Sequence, residues 1–264
     1  MSNRIKKVFE KKGKKLVTFT TGGDPDLDTS LKILKTIIAN DIDIIEIGMP
    51  FSDPMADGPT IQESSVRSIL NGTKIDDLFE IVKKVRKIND EIPIIFMGYY
   101  NSIFNLGIEN FTSKCADVGV DGLIIVDLQP EEDSELYHKT KEKKIDLIRL
   151  LTPTTDENRL NTILKNASGF LYYVTITGIT GQHSANLENL KKSINLIRSY
   201  TELPIVAGFG IKDRKDVEEI SNFADGVVVG SSIINIIKKN LNDKSKIINE
   251  IDLFTKDLKK GIKE

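Results

Sequence analysis

The chain has no tryptophan, one cysteine and two histidines among 264 residues. Cys115 has no second thiol, so no internal disulfide staples the fold. It falls on a helical pattern with Phe111 and Val118 and reads as packing. A chain without disulfides suits a reducing cytosol, and a cytoplasmic location is the expectation. His138, on a polar helix, and His183, on a loop, form no cluster with Asp or Glu at metal-ligand spacing. That argues against a metal centre. The missing tryptophan by itself excludes nothing.

Long hydrophobic runs are missing too. No apolar segment approaches the ~20 residues of a membrane span. Met1–Lys15 is charged and lacks the apolar core of a signal peptide. Neither sign of charge dominates: 37 Lys and Arg against 39 Asp and Glu leave a net −2. Nothing here offers a footprint for nucleic acid or a membrane surface. Lysine-rich stretches such as Lys141–Lys144 are offset by nearby acids and read as solvated helix faces.

What the chain does have is alternation. Short runs rich in Val, Ile and Leu predict strands at Leu16–Thr20, Ile42–Ile47, Ile94–Gly98, Gly122–Asp127, Leu147–Leu151, Phe170–Thr175, Ile205–Gly208 and Gly226–Gly230. Helical patterns lie between them, and another, Arg4–Lys12, precedes the first strand. Apolar strands alternating with helices imply a parallel sheet covered on both faces. Eight such units predict a (β/α)8 TIM barrel of class α/β with an extra N-terminal helix, residues 1–264 forming one domain. An open doubly wound sheet is the alternative. Against it, Gly22-Gly23-Asp24-Pro25 follows the first strand instead of a Gly-x-Gly-x-x-Gly turn.

A barrel carries its chemistry at the C-terminal strand ends. Glu46 ends the second strand inside an apolar run, on one face with Ile42 and Ile44. That face is assigned to the interior, where burial raises a carboxyl pKa. Asp57 lies on the long segment Met49–Lys74, read as a loop. The two acids are a candidate acid–base pair; a structural carboxylate with turn aspartates is the plainer alternative. Tyr99 follows the third strand, Asp127 ends the fourth and Tyr172 the sixth. Gly178 to Gly181, Gly208-Phe209-Gly210 and Gly230-Ser231-Ser232 sit at adjacent strand ends, where backbone amides cradle phosphate in this fold. No lysine ends strands one to six, so a Schiff-base mechanism lacks its nucleophile.

One stretch goes further. Glu46-Ile47-Gly48, Pro50-Phe51-Ser52-Asp53-Pro54, Ala56-Asp57-Gly58-Pro59 and Ile61-Gln62 resemble the signature of the tryptophan synthase α subunits. The likeness extends from about Thr18 to Asn240 and takes in Gly23-Asp24-Pro25, Gly178-Ile179-Thr180-Gly181 and Gly208-Phe209-Gly210-Ile211. It implies cleavage of indole-3-glycerol phosphate to indole and glyceraldehyde 3-phosphate in tryptophan biosynthesis. By resemblance, Glu46 is the general acid–base, Asp57 accepts the indole N–H, and Tyr172 borders the reacting centre. Phe19, Met97, Tyr99, Ile124, Thr180 and Phe209 would contact the substrate. Gly181, Gly210, Gly230 and Ser231 would hold its phosphate. The resemblance further implies a β subunit in an α2β2 assembly, with substrate channelling and allostery. It implies no cofactor on this chain and pyridoxal phosphate on the partner. Two departures bear on coupling: Ile176 stands where some members carry arginine, and Leu128-Gln129-Pro130 shifts a proline near the expected partner surface. Other readings are a free-standing indole-releasing lyase, a related barrel of the same pathway, and a catalytically silent regulatory subunit.

Overall fold

Alternation of side chains along each strand decides this architecture, because it gives every strand an inner and an outer apolar face. The structure is a computed structural model and describes residues 2–174, 183–208 and 210–262, the side chains of 183–186 excepted. The strands are β1 (Lys15–Thr21), β2 (Ile44–Gly48), β3 (Ile94–Gly98), β4 (Gly122–Ile125), β5 (Asp146–Leu147), β6 (Arg149–Leu151), β7 (Leu171–Val174), β8 (Ile205–Gly208) and β9 (Gly226–Val229). All paired neighbours are parallel, in the order β5-β4-β3-β2-β1-β9-β8-β7-β6. The two edges, β5 and β6, are one stretch of chain interrupted at Ile148, so the sheet rolls into a barrel. The expected fifth strand is therefore split in two.

Val17, Ile44, Ile95, Ile124, Ile148, Phe170, Tyr172, Val206 and Val228 fill the barrel interior. A larger outer core lies between sheet and helices and holds Leu16, Ile45, Ile47, Phe96 and Val227. Ile42, expected on the inner face with Ile44, precedes β2 and belongs to this outer core. Helix α1 (Asn3–Glu10) closes the lower end: Ile5 and Val8 join the interior core and Phe9 meets Phe170 at 5.7 Å. Lys15 reaches back to the carbonyls of Lys11 and Lys12 at 2.8 and 3.0 Å.

The outer helices follow the apolar stripes. Helix α2 (Leu27–Ala39) starts on Asp26, whose carboxylate accepts from Thr29 N, and buries Ile33, Leu34 and Ile37. Helices α4 (Ile75–Arg86) and α6 (Ile108–Val118) do the same with Leu78, Val82 and Val85, and with Phe111 and Cys115. The segment read as one long loop contains a helix, α3 (Pro59–Leu70). Its buried face is Ser64, Ser65 and Ser68 rather than aliphatic. Ser68 Oγ donates to Gly22 O at 2.6 Å, and Ser64 Oγ meets Thr21 Oγ1 at 2.5 Å. Short side chains let α3 lie close on β1 and aim the loop before it over the barrel mouth. Helix α5 (Tyr100–Leu106) follows β3, and α7 (Ser134–Glu142) and α8 (Glu157–Leu164) flank β5 and β6. Helix α9 runs His183–Arg198, so His183 begins a helix, not a loop. Helices α10 (Arg214–Ile220), α11 (Ser231–Lys239) and α12 (Lys244–Lys259) complete the ring. The last of these, not anticipated, buries Ile247, Ile251, Thr255 and Leu258.

Candidate active site

Register places Glu46 beside Phe19 of β1 and Ile95 of β3, on the interior face. The side chain is fully buried, and neither carboxylate oxygen has a hydrogen-bond partner among the described residues. Burial alone pushes its pKa up to about 8. At neutral pH Glu46 is therefore largely protonated, with a proton to give and the capacity to take one back.

Two glycines on the interior face, one on β2 and one on β8, make room above it. A Cβ on Gly48 would lie 2.5 Å from the Phe19 ring, and one on Gly208 would lie 2.7 Å from the Tyr172 hydroxyl. At Gly98 a Cβ would meet Met49 at 2.8 Å. Phe19 and Tyr172 thus lie flat across strand backbone where any larger residue would expel them. Burial, and then the charges of Glu46 and Asp57, push the Tyr172 phenol well above its ordinary pKa.

Asp57 comes over the mouth on the turn between β2 and α3. Its backbone N–H donates to Pro54 O at 3.0 Å, and its carbonyl accepts from Gln62 Nε2 of α3 at 2.9 Å. The Tyr99 hydroxyl donates to Asp57 Oδ2 at 3.1 Å and accepts from Ala56 N at 2.9 Å. Phe51 stacks on the same ring, centroids 5.0 Å apart. Burial raises the Asp57 pKa, and the Tyr99 bond opposes the rise. Burial and the nearby acids push Tyr99 itself beyond the ordinary phenol range.

A cavity of about 10 Å3 remains between Phe19, Gly48, Asp57, Met97 and Tyr99. That is about the room of one water. Ile124 and Tyr172 lie in the interior core together. Asp127, expected as a further strand-end acid, accepts from Tyr100 N at 2.7 Å and holds the start of α5. Spacing singled out neither Gln62 nor the Tyr99 hydroxyl as a holder of Asp57.

Gly230 precedes α11 and Ser231 opens it, with no side chain capping the first turn. Among the described residues no side chain meets the first-turn amides, the kind of helix start that receives an anion. Ser232 Oγ donates to Ile211 O at 2.6 Å and ties this turn to the one after β8. There Gly210 adopts φ +59°, open to approach from above. Thr180, Gly181 and Phe209 lie outside the described residues. Among the described residues no group of three or more His, Cys, Asp or Glu could hold a metal ion.

A parallel barrel with a neutralised glutamate inside and an aspartate clamped over its mouth belongs to the (β/α)8 enzymes that work at their strand ends. The comparisons make this specific. The family profile for the tryptophan synthase alpha chain matches residues 5–263. A tryptophan synthase alpha chain from Petrotoga mobilis is 43% identical over 257 residues, 97% of this chain and 99% of that protein. The structure superposes on tryptophan synthase subunit alpha from Legionella pneumophila with a TM-score of 0.91 at 33% identity, covering 99% of this chain and 98% of that one. A chain of Mycobacterium tuberculosis tryptophan synthase gives 0.89 at 26% identity, with 99% and 98% covered. The chain belongs to the tryptophan synthase alpha chain family.

Proposed function

We propose that this chain, read as one barrel domain, cleaves indole-3-glycerol phosphate to indole and glyceraldehyde 3-phosphate by carboxylate acid–base catalysis. The observation that carries the reading is Glu46, buried, without a hydrogen-bond partner among the described residues and with a pKa raised to about 8. Protonated Glu46 gives its proton to indole C3. Asp57 accepts the indole N–H and stabilises the positive charge that C3 protonation creates. The carbon–carbon bond then breaks with its electron pair passing into the indole ring, while the glycerol C3′ hydroxyl becomes the aldehyde. Its proton goes to the Glu46 carboxylate, which restores the acid. The C3-protonated indole is itself the sink for that electron pair, so neither metal nor Schiff base is called for.

Tyr172 borders the reacting carbon. Phe19, Met97, Tyr99 and Ile124 take the indole ring, with Thr180 and Phe209 completing the wall. Gly181, Gly210, Gly230 and Ser231 receive the phosphate at the start of α11. The segment from Pro50 to Asp57, which carries the catalytic aspartate, closes over bound substrate in this reading. The family works with a β subunit; an α2β2 assembly, with pyridoxal phosphate on the partner and indole passed to it, completes the reading, and the cytoplasm is its place.

Indole release from indole-3-glycerol phosphate, with and without a tryptophan synthase β subunit, tests this. Slow release that rises strongly with the partner is expected. Fast release from the chain alone would make it a free-standing lyase. No release in either condition would leave a silent regulatory subunit.

A further inference from the structure

Helix α3 is seated by a polar seam. Ser64, Arg67, Ser68 and Asn71 stand at i, i+3, i+4 and i+7, the stripe on which a surface helix normally carries aliphatics. Each meets a different residue of the turn that leaves β1. Ser64 Oγ lies 2.5 Å from Thr21 Oγ1, and Ser68 Oγ donates to Gly22 O at 2.6 Å. Arg67 donates from Nε and Nη2 to the two carboxylate oxygens of Asp24, both at 2.8 Å, and Asn71 Nδ2 donates to Pro25 O. Gly23, which the seam skips, donates its N–H to Ser30 Oγ of α2 at 3.1 Å. Its φ is +76°, and a Cβ there would lie 2.3 Å from Thr73 Oγ1.

The Asp24–Arg67 pair is the one charged contact of this seam. The Asp24 side chain is fully buried and that of Arg67 is 18% exposed. A bidentate ion pair fixes direction as well as distance, which apolar packing does not. The turn it grips is itself tied to the site: Gly22 N donates to Gly48 O at 2.9 Å, on the glycine that the Phe19 ring crosses. At its other end α3 grips the turn that carries Asp57. Ile61 N and Gln62 N both donate to Gly58 O at 3.0 Å, and Gln62 Nε2 donates to the Asp57 carbonyl. Neither Asp24 nor Arg67 lines the cavity under Asp57, so an effect of the pair on chemistry passes through the helix.

We propose that Asp24 and Arg67 are positioning residues for the cleavage: the pair sets the roll of α3 on β1, and α3 carries Asp57 to its place above Glu46. This rests on the lyase reading of those two acids. An aliphatic seam lets a helix slide or roll slightly at little cost, whereas hydrogen bonds weaken steeply when misaligned. A misplacement of about 1 Å at a reacting group is worth about 10²-fold in rate. A helix that delivers an acid to the site is therefore better held by directional contacts than by volume.

Deleting the arginine outright would leave Asp24 buried and unpaired, so the test uses Arg67→Lys, which keeps the charge and loses the fork. Indole release by the full chain is measured in a double-mutant cycle with Asp57→Ala. Arg67→Lys is expected to lower kcat about tenfold in the parent, with KM changed by less than about twofold. In the Asp57→Ala background it is expected to cost less than about twofold, because the acceptor to be positioned is gone. A merely structural role predicts the same loss in both backgrounds; that result, or an unchanged kcat in the parent, would overturn the proposal. Amide hydrogen exchange over Met49–Gly58 needs no turnover. It is expected to be about threefold faster or more in Arg67→Lys, with β2 and β3 unchanged. Unchanged exchange over that segment would overturn the proposal even where Asp57→Ala is too slow to assay. No release from the parent chain would instead overturn the lyase reading, and the exchange result would still decide whether Arg67 holds the turn.

Discussion

At the lower end of the barrel Asp121 is 2% exposed and accepts from Ser2 Oγ, Arg4 Nη1, Arg86 Nη2 and Ile94 N at 2.6, 3.2, 2.7 and 3.0 Å. At the upper end Glu46 is equally buried and accepts from none of the described residues. Asp121 immediately precedes β4 and Glu46 lies within β2, and both have lost water. One is surrounded by cations and donors, which tie α1, α4, β3 and β4 together under the barrel. The other is left to keep its proton. A buried acid with every lone pair met stabilises a fold; a buried acid with none met holds a reactive proton at some cost in stability. The contrast assigns structure to the bottom and chemistry to the top, as parallel barrels divide them.

Glu46→Gln cuts the contrast at its sharpest point. The amide keeps the shape and removes the proton that is given and taken back. Indole release should fall by about 10²- to 10⁴-fold, the range for loss of a general acid–base. Because the wild-type acid has no partner to lose, the melting temperature should hold or rise. Turnover within twofold of wild type would remove Glu46 from the mechanism.

Asp121→Ala should do the reverse. It leaves Arg86, whose side chain is 10% exposed, and Arg4 without their shared acceptor. Breaking a buried pair from one side costs about 3–5 kcal/mol. Urea unfolding should show the loss as a lower midpoint with similar slope, while indole release per folded molecule stays near wild type. A variant as stable as the parent would mean that the network is ornamental.

The pH dependence of stability sharpens the same comparison. The Glu46 pKa rises from 4.5 unfolded to about 8 folded. Between those values the folded state holds a proton that the unfolded chain releases. Its contribution to stability is thus fully present below the unfolded pKa and is lost as pH rises through the folded one. Each pH unit in the window costs up to about 1.4 kcal/mol. Unfolding free energy should fall between about pH 5 and pH 8, and Glu46→Gln should remove that part of the slope. Parallel profiles for the two proteins would place the titration elsewhere.

How much of this could be read before the structure depended on which physical signal each part leaves in the chain. The strands, the inward Glu46 and the plug helix follow from apolar periodicity, and their bounds moved by a residue or two. Helix α3 left no such signal, because serines rather than aliphatics face β1. Helix α12 carries charges on most of its surface and a buried Thr255 that bonds Asn40 Nδ2 at 2.7 Å, which blurs its stripe. The break at Ile148 and the pairing of Arg149 with Asp133 depend on which strand edges meet, and no local pattern records that. Spacing could bring Tyr99 to the right strand end, but only the folded loop shows what its hydroxyl holds.

That hydroxyl gives the smallest and most specific test. Tyr99→Phe keeps the ring, its stacking on Phe51 and its place in the wall, and removes two hydrogen bonds, to Asp57 Oδ2 and from Ala56 N. Each is worth about 1 kcal/mol, more where one partner is charged. If they hold Asp57 in its working position, indole release should drop about five- to tenfold with little change in melting temperature. The pH profile separates this from a loss of packing. Burial raises the Asp57 pKa and the Tyr99 bond lowers it, so the variant should move the acid limb of the rate profile upward. A slower enzyme with an unmoved acid limb would show that Tyr99 shapes the pocket without setting the charge of Asp57.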